Sequence, residues 1–327
     1  MLGSRRQVAA AGFLVAVFLV IQLGALAVVR PFENAGYRPV DDPGNPLNSL
    51  LYLVAILVVT GVLLAALWIG LERILRASLV FAGAYVSLFV FQVLLPDFGL
   101  PSPLGFHSLA WVVAAGLAIA LWVHPEWYVI DTAGVLMGVG AAGLFGITFG
   151  IFPALLLLAV LAVYDAISVY GTEHMLTLAS GVLDLRVPIV LVVPLSLTYS
   201  FREADPPDPA GTADDPDSTE GSDPLERDAL FIGLGDAIVP AVLVASAGVF
   251  LPVSPVIRGM GIALTLPVIG AILGTIAGLL VLLRMVFAGR AHAGLPLLNG
   301  GAIAGYLIGA VTSGLTLSQA LGIGALV

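Results

Sequence analysis

Apolar stretches long enough to cross a lipid bilayer recur along the whole of this sequence. Such a stretch needs about 18 or more apolar residues, and several runs of the chain reach that length. The runs are continuous rather than alternating, which excludes a closed β-barrel. Only 10% of the residues are charged, whereas a soluble domain carries about 25%. The sequence therefore predicts an all-α, polytopic membrane protein.

The apolar runs divide into nine predicted transmembrane helices. They cover residues 8–29, 50–70, 75–95, 107–123, 128–149, 151–171, 229–251, 259–287 and 295–315. The first run is longer than the roughly 7–15 apolar residues of a signal peptide, so we interpret it as an uncleaved anchor. The chain is then expected to have three parts, with six helices in residues 1–171, a cytoplasmic loop in 172–228 and three helices in 229–327.

The loop 172–228 is the only long connection between the predicted helices, and its two halves differ. Residues 201–228 contain ten acids and two Arg among Pro, Gly, Ser and Thr, which predicts a disordered linker. Residues 187–193 are rich in β-branched side chains and include Pro188, with Pro194 next, which predicts a short strand. We expect this strand to pair with an unwound substrate or with the inner end of a neighbouring helix. The alternative is an amphipathic loop that lies in the membrane interface.

The distribution of Arg predicts the orientation of the chain in the membrane. All twelve basic residues are Arg. If the N-terminus lies in the cytoplasm, nine of them lie on the cytoplasmic side and three outside, in agreement with the positive-inside rule. We therefore predict a multi-pass protein of the cell membrane, with the N-terminus and the loop 172–228 in the cytoplasm and the C-terminus outside.

The composition also excludes several classes of partner and chemistry. The formal net charge of −9 argues against nucleic acid as a partner. Cys is absent, so thiolate catalysis and Cys-bound metals are excluded. The zinc-protease pattern His-Glu-x-x-His and the serine-hydrolase pattern Gly-x-Ser-x-Gly do not occur. We predict neither a metal nor a cofactor, and the lipid bilayer is the partner that the apolar runs require.

Two carboxylates, Asp165 and Asp236, lie well inside predicted helices. A charge at such a depth costs roughly 2.5–3.5 kcal/mol on insertion scales, so it needs a function or a partner. Asp165 is six residues from the inner end of the sixth helix, and Asp236 is seven from the inner end of the seventh. At about 1.5 Å per residue, these depths are roughly 9 and 10 Å. Antiparallel neighbouring helices would therefore hold both carboxyls at one level, near the cytoplasmic side.

A pair of carboxyls in contact indicates aspartyl chemistry. Two like charges at that distance cannot both ionise, so the pair shares one proton. The carboxylate can then activate a water molecule while the protonated partner donates to a peptide carbonyl. Gly233 and Gly235 lack side chains where a substrate backbone would approach Asp236. The alternative is a proton- or ion-coupled transporter that uses both acids as carriers; it would predict inverted repeats, of which the sequence has no convincing copy.

Short motifs around these acids resemble those of a known family. Tyr164-Asp165 and Gly233-Leu234-Gly235-Asp236 match the Tyr-Asp and Gly-x-Gly-Asp motifs of the presenilin and signal peptide peptidase family of intramembrane aspartyl proteases. The resemblance extends over nearly the whole chain, because the motifs lie in the sixth and seventh of nine helices with a long loop between them. The family's third motif, Pro-Ala-Leu, corresponds to Ala293-Gly294-Leu295, in which only Leu295 and the following Pro296 agree.

The resemblance implies the site residues and the kind of substrate. Asp165 and Asp236 would be the catalytic pair. The residues expected to bind substrate or shape the site are Tyr164, Gly233, Leu234, Gly235, Gly294, Leu295 and Pro296. The substrates would be single membrane helices that are unwound and cut within the bilayer. The cytoplasmic N-terminus resembles presenilin rather than signal peptide peptidase. The chain looks like an archaeal or bacterial presenilin homologue, which is expected to act without accessory subunits.

Two further features have structural interpretations. Asp131 lies near the inner end of the fifth predicted helix, where it could snorkel, cap a helix or serve the site. Small residues recur every four positions in the last two helices, and such ridges let helix backbones approach closely. The ridges are Gly270, Gly274 and Gly278 in the eighth helix, and Gly301, Gly305 and Gly309 in the ninth.

Overall fold

The computed structural model describes residues 5–99, 107–171, 189–195, 199–200, 229–259, 261–288 and 293–323. The predicted disordered linker, 201–228, lies outside these residues. Within them, nine apolar helices follow one another along the chain. They are α1 (Arg5–Asn34), α2 (Leu47–Trp68), α3 (Glu72–Leu94), α4 (Ser108–Val123), α5 (Trp127–Thr148), α6 (Ile151–Gly171), α7 (Leu234–Phe250), α8 (Leu266–Val286) and α9 (Gly294–Thr312). A single short turn of helix, α10 (Leu317–Ala320), follows.

Seven of the helices in the described residues are long and apolar enough to cross a membrane, judged by length and composition. The other two, α4 and α7, are apolar helices of 16 and 17 residues. This architecture confirms the predicted all-α, polytopic membrane protein. Most helix boundaries lie within a few residues of the predicted ones, but α7 and α8 begin clearly later than residues 229 and 259.

The seventh helix starts late because its predicted first turn is a strand. Residues 229–233 form β2 (Ala229–Gly233), which pairs antiparallel with β1 (Val190–Pro194). The predicted strand in 187–193 is therefore confirmed over residues 190–193 and continues to Pro194, while residues 187 and 188 lie outside the described residues. Its partner is the segment that we predicted as the inner end of a neighbouring helix. The apolar run 229–233 is too short for its periodicity to distinguish strand from helix, so pairing with β1 decides its conformation.

The eighth helix starts late because a second strand pair precedes it. β3 (Ile257–Gly259) and β4 (Ile262–Leu264) form an antiparallel hairpin. Gly261 in its turn has φ +78°, a conformation that glycine adopts readily because it has no Cβ. The helix begins after Thr265, whose side chain accepts a hydrogen bond from the Val268 N–H at 3.4 Å. A threonine N-cap of this kind explains why the helix begins there.

Helix α7 lies at the centre of the bundle and contacts α1, α5, α6, α8 and α9. Its residues 241–247 are almost completely inaccessible to solvent. Within this stretch, the Ser246 hydroxyl donates to the Phe149 carbonyl at 2.8 Å, which ties α7 to the end of α5. The central helix also carries Asp236 in its first turn. The bundle therefore fixes this acid through the packing of the helix that bears it.

Helices α8 and α9 pack through the two predicted glycine ridges. Gly270 faces the carbonyl of Gly305, and Gly274 faces the carbonyl of Gly301. A Cβ at any of these four positions would overlap the facing backbone oxygen. The prediction of close backbone approach is therefore confirmed. This packing also fixes the start of α9, which forms part of the candidate site.

Candidate active site

The carboxyl of Asp165 is buried near the C-terminal end of α6, where only 7% of the residue is exposed. Its Oδ2 atom accepts a hydrogen bond from the Leu295 N–H at 3.0 Å. The neighbouring backbone N–H of Gly294 also donates to this carboxyl. Both donors belong to the first turn of α9, so Asp165 joins the end of α6 to the start of α9.

The start of α9 uses this carboxyl as its cap. The first N–H groups of an α-helix have no partner within the helix. The N-cap residue, Ala293, makes no side-chain capping bond, and Asp165 supplies the missing oxygen from another helix. Local sequence signals do not reveal such a cap, because Asp165 and Leu295 are 130 residues apart.

Asp236 lies in the first turn of α7, directly after β2. Gly233 is both the last residue of β2 and the N-cap of α7, so no linker separates strand and helix. The predicted depth of Asp236 assumed helical rise from residue 229, and this premise is wrong because residues 229–233 are extended. Extended residues rise about 3.3 Å each, more than twice the rise of a helix.

The Asp236 carboxyl approaches the same first turn of α9. A Cβ placed on Gly294 would lie 2.9 Å from Asp236 Oδ2 and 3.3 Å from its Cγ. The Asp236 carboxyl thus lies beside the Cα of Gly294. The N–H of the same glycine donates to Asp165. The two carboxyls interact electrostatically. The structure therefore brings both predicted acids together with Gly294 and Leu295.

Such a pair of carboxyls can perform general acid and general base chemistry at one place. Like charges repel strongly where the surroundings are poorly solvated, so the pair is expected to hold one proton between its members. One carboxyl can then accept a proton from water while the other donates one to a carbonyl oxygen. This is the chemistry of amide hydrolysis without a metal ion.

The other predicted site residues lie around the carboxyl pair in different environments. Tyr164 on α6 is 45% exposed. Leu234 is buried, and its N–H donates at 2.9 Å to the carbonyl of the residue preceding β1. Gly235 is exposed, and a Cβ there would meet no atom of the described residues within 4 Å. Pro296 is half-buried in the first turn of α9. The open space at Gly235, directly before Asp236 in the chain, is compatible with the approach of a substrate backbone.

Two further buried polar residues connect elements near the site. The sequence did not point us to Asn299, and it left the role of Asp131 open. Asn299 is fully buried in α9, and its Nδ2 donates to the Leu158 carbonyl of α6 at 2.9 Å. This hydrogen bond is a second connection between α6 and α9, which Asp165 also joins. A single amide side chain within an apolar run was the sequence signal that could have identified it. Asp131 in α5 is also buried, and its Oδ1 accepts from the Val192 N–H at 2.8 Å.

No group of three or more His, Asp or Glu side chains in the described part of the chain is placed to hold a metal ion. His107 instead accepts a hydrogen bond from the Ala110 N–H at 3.2 Å, which caps α4. His124 lies 2.7 Å from the Tyr128 hydroxyl at the end of the same helix. Both imidazoles therefore have structural contacts at helix ends.

Comparison with known proteins identifies similar chains. The sequence model of the family described as signal-peptide peptidase, presenilin aspartyl protease matches residues 15–315. Two solved structures of a presenilin family intramembrane aspartate protease, one in space group C222 and one in P2, are similar over most of the chain. The first is 30% identical, with a TM-score of 0.62, and the match covers 92% of this chain and 99% of that one. The second is 32% identical, with a TM-score of 0.60 and coverages of 91% and 96%. A comparison with curated proteins found no match.

Proposed function

Because the chain belongs to the signal-peptide peptidase and presenilin family of aspartyl proteases, it is an intramembrane aspartyl protease that acts on transmembrane substrates, and we propose that Asp165 and Asp236 are its catalytic pair. The observation that carries this assignment is the first turn of α9. There, Leu295 donates to Asp165, and Gly294 leaves room for the carboxyl of Asp236.

In the proposed reaction, the ionised carboxyl takes a proton from water as the water oxygen bonds to the scissile carbonyl carbon. The other carboxyl gives its proton to the carbonyl oxygen, so a neutral diol forms. Collapse of the diol breaks the C–N bond and returns one hydroxyl proton to the second carboxyl. The first carboxyl then protonates the departing nitrogen, and the pair regains its starting protonation state. Each carboxyl acts once as acid and once as base, so neither can be replaced.

The ion-coupled transporter finds no support, because the family match over residues 15–315 is to proteases. The same two acids would serve either function, but the surrounding residues favour hydrolysis. Gly294 brings the first turn of α9 against one carboxyl while Leu295 binds the other. A carrier that must load and release an ion has no need of a carboxyl that is held as the cap of another helix.

A strand edge beside Asp236 is the proposed place where the substrate binds. A transmembrane helix must unwind near the scissile bond, because its backbone groups are bonded internally. The released N–H and C=O groups then need partners, which a strand edge supplies. The outer edge of β1 is occupied at Val192, whose N–H donates to Asp131. We therefore place the substrate along β2, which ends at Gly233, immediately before the helix that carries Asp236.

The orientation and the independence of the protein are part of the proposal. We propose that the N-terminus and residues 172–228 lie in the cytoplasm and the C-terminus outside, and the nine-to-three distribution of Arg supports this orientation. The site then opens near the cytoplasmic side. Both carboxyls and the first turn of α9, which contacts them, belong to this one chain, so we expect activity without accessory subunits. The chain accordingly divides into residues 1–171 with Asp165, the loop 172–228, and residues 229–327 with Asp236.

Hydrolysis by purified protein tests the assignment. Wild type is incubated in detergent and in vesicles with a panel of transmembrane-helix peptides, and the products are identified by mass spectrometry. We expect cleavage by wild type and none by Asp165→Asn or Asp236→Asn. Asp41→Asn, which changes an exposed acid, is the control and should cleave normally. The pH–rate profile of wild type should be bell-shaped, because one member of the pair must be ionised and the other protonated. Cleavage by either pair variant at the rate of wild type would disprove the assignment.

A further inference from the structure

Asp131 is a buried acid that the proposed reaction does not use. It lies in the first turns of the apolar helix α5, and only 5% of the residue is exposed. Burial of a carboxyl in such surroundings is costly unless hydrogen bonds compensate it. An apolar side chain would fill the same space at no such cost. The contacts of its two carboxyl oxygens must therefore explain why an acid is buried at this position.

One oxygen of Asp131 binds the backbone of β1. Its Oδ1 accepts a hydrogen bond from the Val192 N–H at 2.8 Å. In the register of the strand pair, Val192 lies opposite Phe231. Opposed residues of an antiparallel pair alternate between bonding each other and pointing their backbone groups outward. Because the Val192 N–H points away from β2, Asp131 occupies the outer edge of β1.

This bond is connected to Asp236 by continuous rigid structure. β1 pairs with β2 along its whole length, from Val190 opposite Gly233 to Pro194 opposite Ala229. β2 passes directly into α7, because Gly233 ends the strand and caps the helix. A shift of β1 would therefore move the first turn of α7, where Asp236 lies. Apolar residues of α5, such as Ile130, pack against β1, and Asp131 adds a hydrogen bond to its backbone.

The second oxygen of Asp131 supports a role beyond packing. Oδ2 is buried and has no hydrogen-bond partner in the described part of the chain. Buried polar atoms without a partner are rare, so the retention of this one needs a reason other than packing. A charged or polar group at a strand edge also prevents further strands from adding there. At β1 this would leave β2 as the edge for an incoming peptide.

We propose that Asp131 is a positioning residue, which holds β1 and thereby sets the place of the β2–α7 junction and the register of the substrate beside Asp236. It acts through Val192 and does not touch the reacting atoms. The inference rests on the proposed function, since it assumes that the peptide is cut at the carboxyl pair.

Two substitutions of Asp131 separate hydrogen bonding from packing. Asp131→Asn keeps a carbonyl oxygen that can accept from Val192, whereas Asp131→Leu removes the acceptor and leaves a buried N–H unpaired. Loss of a buried partner corresponds to about a tenfold change in an equilibrium. We expect Asp131→Leu to lower kcat/KM about tenfold and to spread cleavage over neighbouring peptide bonds, while Asp131→Asn keeps the wild-type site. Thr132→Leu, a change of the exposed neighbour on the same helix, is the matched control.

A variant on the donor side keeps the test decisive if Asp131→Leu folds poorly. Val192→Pro removes the same hydrogen bond from the strand, at a position whose N–H does not bind β2. It should reproduce the spread of cleavage sites, and in the double variant the two changes should not add. A wild-type cleavage pattern in both Asp131→Leu and Val192→Pro, or equal defects in Asp131→Asn and Asp131→Leu, would overturn the inference. Failure of wild type to cleave any peptide would instead overturn the proposed function.

Discussion

Replacement of Gly294 by Ala tests how closely α9 approaches the carboxyl pair. A Cβ at this position would lie 2.9 Å from Asp236 Oδ2 and 3.3 Å from its Cγ. The shorter distance is about 0.5 Å less than an ordinary van der Waals contact between carbon and oxygen. The Asp236 carboxyl must therefore withdraw from the start of α9, or the helix must move.

The size of the effect follows from this displacement. Misplacement of catalytic groups by about 1 Å can cost about 100-fold in rate, so a shift of roughly half that distance should cost about tenfold in kcat. Stability should fall little, because the group nearest to the new Cβ is the side chain of Asp236 rather than backbone. Gly294→Ala should therefore lose activity while its unfolding temperature changes little.

The matched control is Gly300→Ala on the same helix. Gly300 is exposed, and a Cβ there meets no atom of the described residues within 4 Å. Initial rates on a transmembrane peptide, at several substrate concentrations, separate kcat from KM for both variants. The reasoning is refuted if Gly294→Ala keeps wild-type kcat, or if Gly300→Ala loses as much.

Three further outcomes are expected. Asp165→Ala should lower the free energy of unfolding by about 1 kcal/mol relative to Asp165→Asn, because only Asn can still cap α9. Thermal unfolding of Asp165→Ala and Asp165→Asn in detergent checks this. Gly274→Ala should destabilise the protein by about 1–3 kcal/mol through overlap with the facing helix, whereas Gly61→Ala should not, because a Cβ there meets no atom of the described residues within 4 Å. Equal unfolding temperatures of the two variants would contradict the ridge packing. Ser218→Cys should not react with an impermeant thiol reagent added outside intact cells, since we place the loop 172–228 in the cytoplasm; labelling there would reverse the orientation.

The membrane architecture and the glycine ridges could be predicted because each depends on a local pattern in the sequence. Continuous apolar runs admit few structures other than helices in a bilayer, and the described helices follow those runs closely. Glycines at four-residue spacing lie on one face of a helix, so a close backbone approach at each ridge could be predicted from spacing, and the structure shows that the two ridges face each other. The two acids were recognisable because charge is rare in such runs.

The strand conformation of residues 229–233 and the cap of α9 could not be predicted because they depend on distant partners. Residues 229–233 are equally suited to the start of a helix and to a strand, and only β1, far back in the chain, decides between them. The helix start at Gly294 has no capping side chain of its own, and Asp165 is remote in sequence. The bond between Asp131 and Val192 likewise joins two segments that no local pattern relates.

Both carboxyls lie near helix ends, and the hydrogen bonding of the helix backbone explains why. Within a helix, every backbone group is already bonded, so neither a carboxyl nor an unwound peptide finds a partner there. The start of α9 has N–H groups without helical partners, and Asp165 binds those of Gly294 and Leu295. The junction of β2 and α7 places extended backbone next to Asp236. A protease that holds a stretched peptide in the bilayer needs its acids at such junctions, because only there can the protein backbone bind the peptide and position the carboxyls together.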